Sequence, residues 1–332
     1  MINKFAKKPR IKILTEIEPK IIFSLVRVCV LVLLCVIMSM ISPVFLGFKN
    51  ISNVITNACI MIILGVGETP SPRRLPGSRT RCSILTITSV VAAIMLKAGI
   101  HFGFAIPTAL VFGLLLGLLN GLLIAKVKLP PFIATYGLQW AIFGFAYVIL
   151  KGYVLYDFDE KFRFIGNGFI FKVIPMPIVV MVIVVLVGLF IMRKTTIGRK
   201  FYSIGANKEA ARLSGINVEK ITILAYVISG ILAALAGIVL VARINAVQAD
   251  IGKPYLLPTI AAVYMGGTSA TGGQGGLLGT IIGALIMTVV ENGMNLIGVP
   301  STWRDAISGA MIILTVLLNI SARKRLNKIV SS

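Results

Sequence analysis

Among the polar side chains inside the long apolar stretches of this 332-residue sequence, six are the candidates for a solute path: Asn120, Thr135, Gln139, Glu291, Asn292 and Asn295. Their chemistry is hydrogen bonding. Glu291 and Asn295 are one helical turn apart and share a face. Glu291 is the one carboxylate expected deep in an apolar run, and an ionisable group at that depth is a functional candidate by default. Such side chains can line a water-filled route for a small polar solute. They can equally pair across packed helices, and both readings stand for each residue. Covalent chemistry is poorly served. The sequence has a single His, His101, and four Cys (Cys29, Cys35, Cys59, Cys82) with no C-x-x-C spacing. A metal cluster or a nucleophile–base pair built on His has no basis here, and the cysteines read as small buried hydrophobes. The Gly-rich stretch 266–279 lacks the G-K-[ST] ending of a phosphate loop. It reads instead as close backbone packing and a tight turn between helices. No cofactor is expected on this chain.

The elements that must hold these side chains are membrane helices. Hydrophobic residues make up 57% of the sequence and charged residues 13%, about half the charge fraction of an ordinary soluble domain. Several apolar runs exceed about 18 residues, the length needed to cross roughly 30 Å of hydrocarbon as helix. The alternation of a barrel strand is absent, so the backbone must be satisfied by helices. The fold class is all-α and polytopic. About ten spans are expected, near 21–47, 51–67, 83–98, 103–125, 131–150, 169–192, 219–243, 255–267, 276–297 and 302–320. Three of them, 51–67, 83–98 and 255–267, are short. The pairs 51–98 and 255–297 each read as a short apolar run, a polar interruption and a second run, the pattern of broken helices in internally repeated transporters.

Ten crossings put both termini on one side. With the N-terminus inside, segments 1–20, 68–82, 126–130, 193–218, 268–275 and 321–332 are cytoplasmic, and with Lys220 they hold about 23 of the 33 Lys and Arg, as the positive-inside rule requires. The net charge of +22 is therefore a consequence of topology. Nucleic-acid binding is excluded, because the basic residues are split among short loops with no recognition module. The domain reading is a basic cytoplasmic N-terminus (1–20), one transmembrane domain (21–320) and a basic tail (321–332). The first apolar run is too long for a signal-peptide core and lacks a cleavage site, so it is an uncleaved span. The longest external segment, 151–168, is read as a loop rich in aromatics, either meeting an external partner or lying at the interface. Trp303 and Arg304 are expected at the outer interface as anchors.

One polar segment departs from this pattern. Residues 193–220 carry seven Lys/Arg between two long apolar runs. Glu209, Ala210 and Ala211 are strong helix formers, Asn207 can cap a helix beginning at Lys208, and Glu209 lies in its first turn, where the dipole favours a carboxylate. Gly215 can stop that helix. A short exposed helix with small residues can lie in a groove of a cytoplasmic partner and transmit movement; a plain amphipathic connector is the competing reading.

The segment Gly198-Arg199, Gly205, Asn207, Glu209-Ala210-Ala211, Leu213-Ser214-Gly215 resembles the cytoplasmic coupling loop of ATP-binding-cassette importer permeases. Leu118 to Lys126 with Leu129 to Thr135, Ile260 to Ser269 with Gly272-Gly273-Gln274-Gly275, and Asn292 to Val299 are similar to the ribose-type sugar permeases. The resemblance covers roughly residues 45–325 in order. It implies a transmembrane permease subunit of an importer for a monosaccharide or similar small polar solute. It implies as partners a cytoplasmic ATP-binding subunit that holds the ATP and Mg, an extracytoplasmic solute-binding protein, and a second permease subunit, a copy of this chain or a paralogue, in a bacterial inner membrane among its lipids. The alternative class is an ion- or proton-coupled secondary transporter, which would want intramembrane carboxylates or His that this chain almost lacks.

The chain departs from the family pattern after Gly67-Glu68-Thr69. Residues 70–82 read PSPRRLPGSRTRC, with three Pro and four Arg, and the family pattern resumes at Ser83-Ile84-Leu85. A compensated frameshift would produce this, and resequencing tests it. As written, the segment should be expelled to the cytoplasm, because Arg at mid-membrane depth costs several kcal/mol.

Overall fold

Apolar runs with no water to satisfy them fold as helices, and the computed structural model is built of them. It describes residues 10–68, 79–171, 173–268, 276–300, 302–303, 305–315 and 317, with side chains in the first helix from residue 25 onward. The expectations for Arg304, for the tail, for residues 70–78 and for the turn 269–275 lie outside these residues.

The helices are α1 (Arg10–Ile41), α2 (Phe48–Glu68), α3 (Arg79–Lys97), α4 (Phe102–Ala125), α5 (Pro131–Leu150), α6 (Glu160–Asn167), α7 (Met176–Lys194), α8 (Thr196–Ala206), α9 (Lys208–Leu213), α10 (Val218–Ile244), α11 (Leu256–Met265) and α12 (Leu277–Ile297). An apolar helix α13 covers Asp305–Thr315. Seven are long and apolar enough to cross a membrane: α2, α3 from Thr80, α4, α5, α7, α10 and α12. The other three expected spans are shorter: the apolar part of α1 (Leu25–Ile41), α11 and α13. With 10 residues, α11 rises about 15 Å, half the hydrocarbon thickness.

The chain reaches α11 by a break. Asn245 ends α10 in the left-handed region. A two-residue strand β4 (Ala246–Val247) follows, and Ala249 and Ile251 stay buried. The freed backbone is answered by neighbours, as intramembrane irregular chain requires: Gly252 N donates to Thr86 Oγ1 of α3 at 3.1 Å. The segments 51–98 and 255–297 each contain two helices, α2 and α3 in the first and α11 and α12 in the second.

The core lies among α2, α3, α10 and α12. Ile60 to Leu64, Leu85, Ile238, Leu240, Ile286 and Met287 are almost completely buried. Large apolar side chains on α1, α4, α5 and α7, such as Leu33, Phe104, Phe145 and Phe190, point outward, as they should against lipid. Small residues set the closest approaches, where lipid-solvated helices gain by van der Waals packing. Gly113, Gly117 and Gly121 recur every four residues on α4 against α10. A Cβ at Gly117 would stand 2.5 Å from the Tyr226 carbonyl oxygen, and one at Gly113 would stand 2.6 Å from that of Gly230. In the α11–α12 hairpin, a Cβ on Gly279 would collide with the Gly266 carbonyl and one on Gly283 with that of Ala262. Gly266, Gly279 and Gly283 are therefore sites of close backbone packing.

The segment 151–168, expected as an external loop, is no open loop. β1 (Leu155–Tyr156) pairs antiparallel with β4, and β2 (Phe169–Ile170) with β3 (Ile174–Pro175). Phe158 and Phe162 are buried in the main core. Asn245 Oδ1 accepts from Phe158 N at 2.9 Å, and Asn167 Nδ2 donates to Arg243 O at 2.9 Å. The expected aromatic loop is a small cap docked on the end of α10. Its remaining aromatics, Tyr153, Tyr156, Phe164, Phe169 and Phe171, are exposed, as is Trp303.

Candidate functional site

The polar platform between α7 and α10 is two helices, each started by a side-chain cap. Thr195 Oγ1 accepts from Gly198 N at 3.3 Å and begins α8. Asn207 Oδ1 accepts from Ala210 N at 3.1 Å and begins α9. Asn217 Oδ1 accepts from Lys220 N at 3.0 Å and begins α10. Gly215 closes α9 in the left-handed region at φ +79°, with its N–H on Arg212 O at 3.0 Å. The expected helix, its cap and its stop are all present. α8 was not anticipated as a helix, although Ile197, Phe201 and Ile204 recur at i, i+4 and i+7, which is the signal for one.

Burial sorts the platform residues into two sets. Gly198 and Ala211 face inward. Ala211 packs with Met192, Phe201, Ile204, Val218 and Ile221, and Gly198 lets α8 fold against the end of α7, where a Cβ would meet Ile191 O at 2.5 Å. Ala211 is therefore not a small residue offered to a partner. Arg199, Asn207, Glu209, Ala210, Leu213 and Gly215 are exposed, and Gly205 is half-buried. Leu213 is 80% exposed, a large apolar side chain at the end of a polar helix. Arg212 Nε donates to Glu209 Oε2 at 2.8 Å, which holds the Glu209 carboxyl below its usual range.

The polar residues of the spans do not form one cluster of equals. Asn120, Thr135 and Gln139 are buried on α4 and α5. The Thr135 hydroxyl donates to Pro131 O of its own helix at 2.7 Å, and Thr80 Oγ1 donates to the Thr135 carbonyl at 3.1 Å. Asn120 Oδ1 and Gln139 Oε1 are buried and find no hydrogen-bond donor among the described residues. On α12, Asn292 exchanges two hydrogen bonds with Asn50 of α2, at 2.8 and 3.0 Å. Glu291 is half-buried and Asn295 exposed.

Sequence reasoning missed three of the polar side chains that meet here: Asn50, Asn57 and Arg243. Arg243 Nη1 donates to Asn57 Oδ1 between α10 and α2. It also missed a buried ion pair. Glu68, expected in a cytoplasmic segment, is 2% exposed, and Arg81 is 4% exposed. Arg81 Nη1 lies 3.1 Å from Glu68 Oε2. Thr80, Arg81 and Cys82 are buried at the start of α3, where the guanidinium meets a buried carboxylate. Glu68 is thus more buried than Glu291. Of the cysteines, Cys59 and Cys82 are buried as expected, whereas Cys29 is exposed on the outer face of α1.

The comparisons agree with this architecture. The family model of the branched-chain amino acid transport system / permease component matches residues 81–316. The chain is 37% identical over 292 residues to the ribose import permease protein RbsC of Haemophilus influenzae, covering 87% of this chain and 90% of that one. It is 36% identical over 291 residues to RbsC of Bacillus subtilis, covering 87% and 90%. It is 31% identical over 308 residues to the galactose/methyl galactoside import permease protein MglC of Haemophilus influenzae, covering 87% and 91%. Its fold is similar to a solved chain described as of a metal-chelate type ABC transporter in an inward-facing conformation, with a TM-score of 0.50 at 16% identity over 93% of this chain and 99% of that one.

Proposed function

The chain belongs to the permease-component family of ATP-binding-cassette transport systems, a multi-pass membrane protein, and we propose that it forms the translocation path of an importer for a monosaccharide such as ribose. The observation that carries this reading is the capped α8–α9 platform in a chain similar along 87% of its length to ribose import permeases. In this reading the platform is the surface a cytoplasmic ATPase moves, with Arg199, Asn207, Glu209, Ala210 and Leu213 turned toward it. Gly198, Gly205, Ala211 and Gly215 give the two helices their shape. An external binding protein delivers the sugar to the path between two permease subunits, taken as two copies of this chain. Both termini and the platform face the cytoplasm of a bacterium, across its inner membrane.

ATP and Mg belong to the partner, so this chain moves solute without making or breaking a covalent bond. Asn120 and Gln139 have acceptors to offer a passing hydroxyl, and Glu291, Asn292 and Asn295 line the α12 side. A path must bind weakly, so these groups guide rather than select, and selection rests with the binding protein. The test is thermal shift of the cognate binding protein across a panel of pentoses, hexoses, nucleosides and amino acids. Stabilisation by a pentose supports the reading; stabilisation by a branched-chain amino acid alone overturns the sugar assignment.

A further inference from the structure

One pocket of the bundle has nothing to do with a polar solute. It encloses about 620 Å3, its open mouth included, between α2, α7, α8, α10 and α12, and Val66, Val187, Ile191, Phe201, Ile228 and Leu277 are among its walls. Every lining residue is apolar, so a sugar hydroxyl would lose its water there without gaining a partner. The mouth opens beside α7, whose outward face carries Ile183, Leu186, Val187 and Phe190, the surface expected to meet lipid.

Four cations adjoin the lining residues of this pocket along the chain. Ile191 and Met192 line it, and the next two residues are Arg193 and Lys194; Phe201 lines it, and the two residues before it are Arg199 and Lys200. All four cations are exposed, and no acidic residue occurs from Met176 to Lys208. Arg193 and Lys194 suit the C-terminus of α7 electrostatically, but Arg199 and Lys200 sit in the N-terminal half of α8, where the helix dipole gives cations nothing. Arg193 lies close enough to Tyr202 to oppose the upward push that burial gives its phenol, so the α7 cations and α8 share one patch. An apolar slot whose lining segments on α7 and α8 adjoin four exposed cations, with no acidic residue between Met176 and Lys208, matches an acyl chain below a phosphate.

We propose that an anionic phospholipid seats an acyl chain in this pocket with its phosphate among Arg193, Lys194, Arg199 and Lys200. Its chain then touches Phe201 and Met192, which belong to the same cluster as Ala211 of α9. The lipid props the platform against α7 and α10, and platform rigidity follows the anionic content of the membrane.

The test is native mass spectrometry of the full chain with its ATPase partner, in mild detergent with equal phosphatidylglycerol and phosphatidylcholine. It reads retained lipid and needs no transport. The expected result is one phosphatidylglycerol per permease chain, favoured roughly tenfold or more over phosphatidylcholine, given the contribution of each basic residue near an anionic headgroup. The surface variant Arg193→Gln/Lys194→Gln should lower that preference about tenfold. Val187→Phe, which narrows the mouth, should lower retention of both lipids. A photo-crosslinking benzoylphenylalanine at Ile183 should capture lipid. Equal retention of the two lipids, an unchanged preference in the double variant, or capture of a second copy of this chain at Ile183 would each overturn the proposal.

Discussion

At Gly215 the backbone is left-handed, and no atom lies within 4 Å of where a Cβ would stand. A side chain there meets open space, so any effect of replacement acts through φ. Gly215→Val should cost about 1–2 kcal/mol locally and loosen the end of α9. The expected readout is ATP hydrolysis that continues while uptake falls, with the protein still inserted; Ala210→Asp, which places charge on the exposed face, should do the same. Normal uptake in both variants would count against a coupling role. The Glu209–Arg212 pair is fully exposed and matters little to stability. Its sign is that of a lowered carboxylate: any contribution is present above the unfolded pKa of about 4.3 and is lost as pH falls through the lower folded value. The ratio of uptake at pH 6 to uptake at pH 8 should therefore be the same in Glu209→Gln as in the parent. The buried Glu68–Arg81 pair behaves differently. Removing one partner leaves a charge without its partner inside the bundle, which typically costs about 3–5 kcal/mol. Arg81→Gln should lower the melting temperature in detergent markedly, and adding Glu68→Gln should recover part of it. Asn207 as a cap was legible because capping is local. The ion pair was not, because it joins the ends of two helices across a segment whose composition fits no membrane pattern.

The helices divide the same way. α9 was readable from its cap, its formers and its stop. α8 was obscured by its Lys and Arg, which hid a stripe of Ile197, Phe201 and Ile204. α6 was hidden by mixed charge, although Phe158 and Phe162 sit four apart and both go inward. The positions of most spans came through because 18 or more apolar residues leave one option, but α2 and α3, read as short from the sequence, run 21 and 19 residues, and the span expected from 169 begins as a helix only at Met176. The break between 243 and 255 came through as a gap between two spans, whereas the burial of Val247, Ala249 and Ile251 within it did not. The α4–α10 contact gives a test at this scale. Gly117→Leu drives a side chain into the Tyr226 carbonyl, and overpacking of this kind costs about 1–3 kcal/mol or more. A lower melting temperature, read by fluorescence of the detergent-purified protein, is the expected outcome. Gly137 on α5 has open space around it, so Gly137→Ala should leave the melting temperature within about 1 °C, since surface changes are commonly within 0.5 kcal/mol.

The whole molecule is a helix bundle with a small cap at the C-terminal end of α10, apolar flanks and a polar two-helix platform at the opposite end of α10. The fold class and most spans were legible because the bilayer limits what a chain can do. The site was legible only in part, since hydrogen bonds between distant helices, such as Asn50 with Asn292, leave no local trace. In the proposed reading the energy comes from an ATPase partner that grips the platform. A secondary transporter would take it from an ion gradient through carboxylates or His along the path. The direct test is uptake of radiolabelled ribose into proteoliposomes holding this chain, its cognate ATPase and its binding protein. The account predicts uptake that requires ATP inside the cytoplasmic compartment and continues when a protonophore collapses the proton gradient. Uptake that proceeds without ATP and stops with the protonophore would contradict it.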